Sequence, residues 1–188
     1  MIRGIIFDCF GVLYGGSLES LLNLCPPERL TELRDLNKQS DYGFISGADY
    51  LAGLADIFGM PLDEVRALLA KKHIRNQQLA EYVVALRHDY KVGLLSNVSS
   101  GTIEELFTNE ERHELFDAEV LSYQEHLLKP NPAIFELMAQ RMGLTTGECV
   151  MIDDLASNCE GAEIAGMKSI QHITNQRTKE LLQNLLQQ

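Results

Sequence analysis

Apolar positions follow two different periods along this chain, and the change of period divides it. Arg3-Gly-Ile-Ile-Phe-Asp8 is a short apolar run with β-branched members, closed by an acid. It predicts a strand buried on both faces. Gly11, Gly15 and Gly16 follow and predict an irregular turn. From Ser17 to Asp89 the spacing is almost wholly helical. Ser17 is a candidate cap for Leu18–Leu24, and Pro26-Pro27 opens a helix carrying Leu30, Leu33 and Leu36. Asn37 to Gly43 reads as a polar break. Ser46 predicts the cap of a helix with Tyr50, Leu51, Leu54 and Phe58, which Gly59 ends. Pro61 opens another with Val65, Leu68 and Leu69, and Gln78 to Arg87 completes the set.

Beyond Asp89 strands and helices alternate. Strands are predicted at Lys91–Ser96, Ala118–Ser122, Glu148–Ile152 and Lys168–His172. Helices are predicted at Thr102–Phe107, Pro132–Met142, Asn158–Ala165 and from about Thr178 onward. Such alternation implies right-handed crossovers and a largely parallel sheet covered on both faces. The first strand stands far ahead of its sheet partners in sequence. The expected architecture is therefore α/β: a Rossmann-like core of 1–16 and 85–188, with an α-helical cap, 17–84, inserted into it. The Leu181, Leu182, Leu185 and Leu186 stripe of the last helix is expected to face the core, a dimer contact being the alternative.

Composition narrows the function classes. The 188 residues carry 45% hydrophobic and 23% charged positions, ordinary values for a globular chain. A formal net charge of −11 argues against nucleic-acid or anionic-membrane surfaces. No apolar run approaches the ~18 residues that cross a bilayer. Cys9, Cys25, Cys149 and Cys159 form no CxxC pair, and two sit inside apolar strand-like runs. They read as small buried hydrophobes in a reducing compartment, and the expected location is cytoplasmic.

The chemistry-bearing residues fall at the C-terminal ends of the predicted strands. Asp8 follows the first, Ser96-Asn97 the second and Asp153-Asp154 the fourth, while Lys129 precedes the Pro130 turn. Crevices beyond strand C-termini are where open α/β sheets bind ligands. Clustered carboxylates repel one another unless a hard cation neutralises them, and oxygen ligands favour Mg²⁺. Ser96, Asn97 and Lys129 offer donors and positive charge suited to a phosphoryl group.

These residues lie in motifs that resemble those of the haloacid dehalogenase-like hydrolases. Phe7-Asp-Cys-Phe-Gly-Val-Leu13, Leu94-Leu-Ser-Asn97, Leu128-Lys-Pro-Asn-Pro-Ala-Ile-Phe135 and Met151-Ile-Asp-Asp-Leu-Ala-Ser-Asn-Cys-Glu-Gly-Ala162 are similar to its four motifs, in order. The resemblance spans the chain, and the helical insert resembles the cap found between the first two motifs. It implies that Asp8 is the nucleophile and a metal ligand, that Ser96 and Asn97 hold phosphoryl oxygens, and that Lys129 neutralises charge. It further implies that Asp154 and the main-chain carbonyl of Phe10 ligate Mg²⁺, with Asp153 close by and Asn158 bonded to a metal-bound water.

One position departs from the pattern. Phosphatases of this family usually carry an acid two residues past the nucleophile, where this chain has Phe10. General acid-base help is worth about 10²–10⁴-fold. The expectation is slow turnover, a substrate with a good leaving group such as an acyl phosphate or sugar 1-phosphate, or a substituting acid. Phe10 itself is expected to pack beneath the cap. The leading reading is a Mg²⁺-dependent phosphatase acting on a small phosphorylated metabolite, as a monomer or homodimer. The alternatives are a catalytically weak relative that binds a phosphorylated ligand or partner, and a metal-free 2-haloacid dehalogenase. Against the latter, Val12 stands where those enzymes have Thr, and Asp153-Asp154 where they have hydroxyls. Arg29, Arg34, Lys38, Lys71, Lys72 and Arg75 are cap cations that could reach over the site.

Overall fold

Gly4–Phe7 (β1) is the middle strand of a five-stranded sheet, and its three large residues, Ile5, Ile6 and Phe7, are completely excluded from solvent. A side chain of this size buried fully contributes about 1.5–3 kcal/mol, so the first strand is strongly specified by burial alone. The computed structural model describes residues 1–16 and 18–187; the Ser17 cap read from sequence lies outside them. Lys91–Ser96 (β2), Ala118–Leu121 (β3), Cys149–Asp153 (β4) and Lys168–Gln171 (β5) complete the sheet in the order β3-β2-β1-β4-β5, every pair parallel. The predicted Rossmann-like α/β core is therefore present.

The helices are Leu18–Leu22 (α1), Leu30–Asp41 (α2), Gly47–Phe58 (α3), Leu62–Lys72 (α4), Gln77–Leu86 (α5), Thr102–Leu106 (α6), Asn109–Leu115 (α7), Ser122–Glu125 (α8), Pro132–Arg141 (α9), Ala156–Ile164 (α10) and Asn175–Leu186 (α11). Alternate strand residues point to opposite faces. Ile5 and Phe7 pack with Leu79, Val83 and Leu86 of α5, Ile103 of α6, Leu115 of α7 and Leu182 of α11. Ile6 packs on the other face with Ile134, Phe135 and Met138 of α9 and Ala162 of α10. A separate apolar cluster joins α1 to α4 through Leu21, Leu33, Leu54, Ile57 and Val65. Leu181, Leu185 and Leu186 rest partly buried against the first cluster, so the last helix's stripe faces the core as expected. The four cysteines are free and buried.

Local signals operate as read. Ser46 and Asp49 form a reciprocal capping box at the start of α3, and Gly59 ends that helix with φ +62°. Two readings are corrected. Asn37 to Asp41 is not a break: α2 continues through it, because Lys38 and Gln39 are good helix formers and Ser40 is buried. The final helix begins at Asn175 rather than near Thr178, since Thr174 caps it by accepting the Arg177 N–H. Two short helices went unread. Of these α7 has a legible cap, Thr108 with Glu111.

Candidate active site

Sheet register alone brings the acids together. Phe7 pairs with Ile152, so the next residues, Asp8 and Asp153, leave the sheet side by side. The Asp8 N–H donates to Ile152 O at 2.9 Å and carries the pairing one step past the strand. On the other side Phe7 pairs with Leu94, which puts Ser96 at the same edge. One oxygen each from Asp8, Asp153 and Asp154 lie within 4.8 Å of one another.

Lys129 enters this cluster from the loop before α9. Its ammonium stands 2.9 Å from Asp8 Oδ1 and 2.6 Å from Asp153 Oδ2. The loop is fixed from two directions. The Asn97 amide grips the Lys129 peptide on both sides, donating to its O and accepting from its N–H, each at 2.9 Å. From below, Gly161 of α10 approaches so closely that a Cβ there would stand 2.3 Å from Pro130 O. Asn97 lines the cavity above the acids, yet its carbonyl oxygen and one amide hydrogen are already engaged by the Lys129 peptide. Ser96 is fully buried, and its Oγ has no hydrogen-bond partner among the described residues. A buried hydroxyl left unmatched costs free energy, and a site awaiting a polar ligand accounts for it.

The two members of the acid pair differ. Asp153 Oδ1 accepts from the Leu155 N–H and from Asn158 Nδ2, both at 2.9 Å, while Oδ2 takes Lys129. Burial pushes this carboxyl up, but Lys129 and these donors outweigh it and hold it below the usual range. Asp153 is thereby locked and ionised. Asp8 behaves oppositely. Burial, Asp153 and Asp154 together push it well above the carboxylate range, against the pull of Lys129. Asp8 and Asp153 thus share the Lys129 ammonium with Asp154 beside them, and further positive charge would stabilise the ionised cluster. The loop that bears Phe10 lies close against the third acid: at Gly11, φ is +80° and a Cβ would come within 2.2 Å of Asp154 Oδ2. The donor set is all oxygen, which suits Mg²⁺.

A cavity of about 830 Å³ opens over this edge, bounded by Asp8, Lys129, Asp154 and Asn158 below and by helices α1 to α4 above. Phe10 lines it, half-buried, with its ring 5.0 Å from that of His73. None of the six cap cations named from sequence lines it; Arg66 does. Arg29 is held by Glu32 and Asp56, and Arg75 by Glu111. Sequence reading missed Asn37, Asp41, Tyr50 and His73 as cavity residues. For Asn37 and Asp41 a signal was present: two polar residues four apart in a helix share one face. Among the described residues no helix is long and apolar enough to cross a membrane.

Residues 2–166 match the haloacid dehalogenase-like hydrolase family. Among curated relatives, a D-ribitol-5-phosphate phosphatase of Bacteroides thetaiotaomicron is 26% identical over 189 residues, covering 91% of this chain and 92% of its own. A (S)-2-haloacid dehalogenase of a Pseudomonas species is 23% identical over 189 residues, covering 89% and 82%. A HAD-family enzyme from B. thetaiotaomicron, crystallised in complex with magnesium and inorganic phosphate, superposes with a TM-score of 0.74 at 21% identity over 93% of this chain and 96% of that one. At that identity the likeness concerns the fold; the magnesium and phosphate are that protein's.

Proposed function

The chain belongs to the haloacid dehalogenase-like hydrolase family, and from that premise we propose that it is a Mg²⁺-dependent phosphatase of small phosphorylated metabolites. The observation that carries this reading is the meeting of Asp8, Asp153 and Asp154 within 4.8 Å, beside Lys129 and below a large cavity. Relatives named as phosphatases support it.

In this reading Asp8 is the nucleophile. Its carboxylate oxygen forms a bond to phosphorus while the ester oxygen departs with the bonding pair, and water then cleaves the acyl phosphate to regenerate Asp8. Lys129 offsets charge on Asp8 and on the transferred group. The Ser96 hydroxyl is a donor for a phosphoryl oxygen. Asn97 places Lys129 and lies close enough to the cavity to touch the same group. Magnesium, held by Asp8, Asp154 and the Phe10 carbonyl, would supply the positive charge that the carboxylates and an incoming phosphate both require. Asp153 keeps Lys129 in position, and Asn158 keeps Asp153 so.

Residue 10 cannot protonate the leaving group, since a phenyl ring has no proton to give. Substrates whose leaving oxygen needs little help are therefore favoured, unless another group supplies the proton. The division into a core, 1–16 and 85–188, and a cap, 17–84, is part of this proposal. The separate apolar cluster of α1 to α4 supports it, while the packing of Leu79 and Val83 on the sheet favours ending the cap before α5.

The dehalogenase relatives favour a second reading, metal-free carbon–halogen cleavage by Asp8. The third carboxylate of the cluster counts against it, because added negative charge beside Asp8 disfavours an anionic haloacid. The deciding experiment measures phosphate release from p-nitrophenyl phosphate and a panel of sugar, polyol and acyl phosphates, with Mg²⁺ and with EDTA. Wild type is expected to release phosphate only with Mg²⁺, and Asp8→Asn to release none. Absence of release across the panel, or halide release in EDTA, rejects the proposal.

A further inference from the structure

The cavity is far larger than a phosphoryl group, so it must also take the organic arm of whatever binds. Its wall away from Asp8 is mainly apolar, with Leu18, Leu21, Leu51 and Leu69 exposed to the space. Beside the Arg66, His73, Ser99, Thr102 and Glu105 side chains that also line the space, it carries one hydrogen-bonded polar ladder. Asn37 and Asp41 lie one turn apart on α2, and Tyr50 faces them from α3. The Tyr50 hydroxyl donates to Asn37 Oδ1 at 3.0 Å, and Asn37 Nδ2 donates to Asp41 Oδ2 at 2.7 Å.

This ladder has a direction. Tyr50 spends its one hydroxyl proton on Asn37, whose amide is thereby oriented with its nitrogen toward Asp41. The run ends on an acceptor: Asp41 Oδ1 takes no hydrogen bond from any described residue. Among the described residues no cation pairs with Asp41; the positive charge that acts on it is that of Lys129, on the cavity floor. Burial lifts its pKa to about 7, with Asn37 and Lys129 pulling the other way, so near neutrality both forms are populated. Such a group can accept from a hydroxyl when ionised and donate to one when protonated. When ionised it repels a carboxylate.

Resting on the phosphatase reading, we propose that Asp41, oriented by Asn37 and Tyr50, is a specificity-determining residue that binds a free hydroxyl on the organic arm, so that the substrate class is phosphorylated polyols or sugars.

The test uses a matched pair of equal chain length, sorbitol 6-phosphate and n-hexyl phosphate, with Mg²⁺. Wild type is expected to favour the hydroxylated compound in kcat/KM, chiefly through KM. Asp41→Leu should narrow that ratio at least ten-fold by raising KM for sorbitol 6-phosphate. Asp41→Asn, which is isosteric and keeps an acceptor, should restore part of it. A ratio that both variants leave unchanged, or a parallel fall for both compounds, overturns the proposal. If wild type hydrolyses neither compound, calorimetric titration of the Mg²⁺-loaded protein separates the two ideas. Tighter binding of sorbitol 6-phosphate, weakened by Asp41→Asn, would uphold the subsite, while absence of release from p-nitrophenyl phosphate and the rest of the panel as well would reject the phosphatase reading. Equal affinity for the pair would reject the subsite.

Discussion

Lys129 Nζ lies 2.9 Å from Asp8 Oδ1 with both residues almost wholly removed from water, at 4% and 6% exposure. The same ammonium holds Asp153. Removing it leaves two buried carboxylates without their counter-charge, a loss that typically costs about 3–5 kcal/mol. Lys129→Met is expected to lower the urea-unfolding free energy by that amount in Mg²⁺-free buffer. Adding Asp8→Asn should recover part of it, because one of the stranded charges is then gone. A single variant within about 1 kcal/mol of wild type would mean that the pair contributes no such compensation.

Gly11 bears on metal binding through space rather than charge. Its φ of +80° disfavours any side chain, and a Cβ would stand 2.2 Å from Asp154 Oδ2. The left-handed backbone costs a non-glycine residue about 1–2 kcal/mol, and Asp154 must also move. Gly11→Ala is therefore expected to lose most of its stabilisation by Mg²⁺. A ligand at a hundred times its dissociation constant stabilises by about 2.7 kcal/mol, which a thermal melt with and without the ion resolves. An undiminished Mg²⁺ shift in Gly11→Ala would remove Asp154 from the proposed ligand set.

How much of this was legible in the sequence depends on what fixed each feature. The strands read well because Ile5, Ile6 and Phe7, and their counterparts in β2 and β4, are buried on both faces and leave unbroken apolar runs. Asp8, Ser96 and Asp153 read well because parallel register carries them to one edge regardless of detail. Asp41 was only partly legible, its spacing from Asn37 being visible but its surroundings not. Its environment is made by Tyr50 from another helix and by a cavity that exists only once α2 lies over the sheet. The polarity of Asn37 to Gly43 suggested a break, whereas α2 runs on to Asp41, and Asn37 and Asp41 line an interior space. Asn97 shows a further limit, since nothing in sequence foretells that its amide clasps the peptide of Lys129.

Phe10 supplies the test of leaving-group dependence. Its ring lines the cavity against His73 and carries no proton. Phe10→Asp restores an acid there and is expected to raise turnover of alkyl phosphates by about 10²-fold, the low end of general-acid help. Aryl phosphates, whose leaving oxygen is already stable, should gain much less. The comparison is kcat for n-hexyl phosphate against p-nitrophenyl phosphate in both proteins. Equal gains for the two, or none, would show that proton supply at residue 10 does not limit the reaction.

Asp41 also imprints itself on stability. Its folded pKa, about 7 against an ordinary 3.8, means that the folded chain holds this proton more tightly than the unfolded chain. Below pH 3.8 both states are protonated and the contribution is complete. As pH rises from there toward 7 the unfolded state ionises first, and stability drains away at about 1.4 kcal/mol per pH unit. Above 7 both states are ionised and the loss stops, having reached on the order of 4 kcal/mol. Asp41→Asn keeps the contact to Asn37, since an amide oxygen can accept the same hydrogen bond, but has no proton to release. Urea-unfolding free energies at half-unit steps from pH 4 to 8 should therefore fall more steeply for wild type than for the variant. Curves that run parallel across that window would show that Asp41 ionises normally in the folded protein.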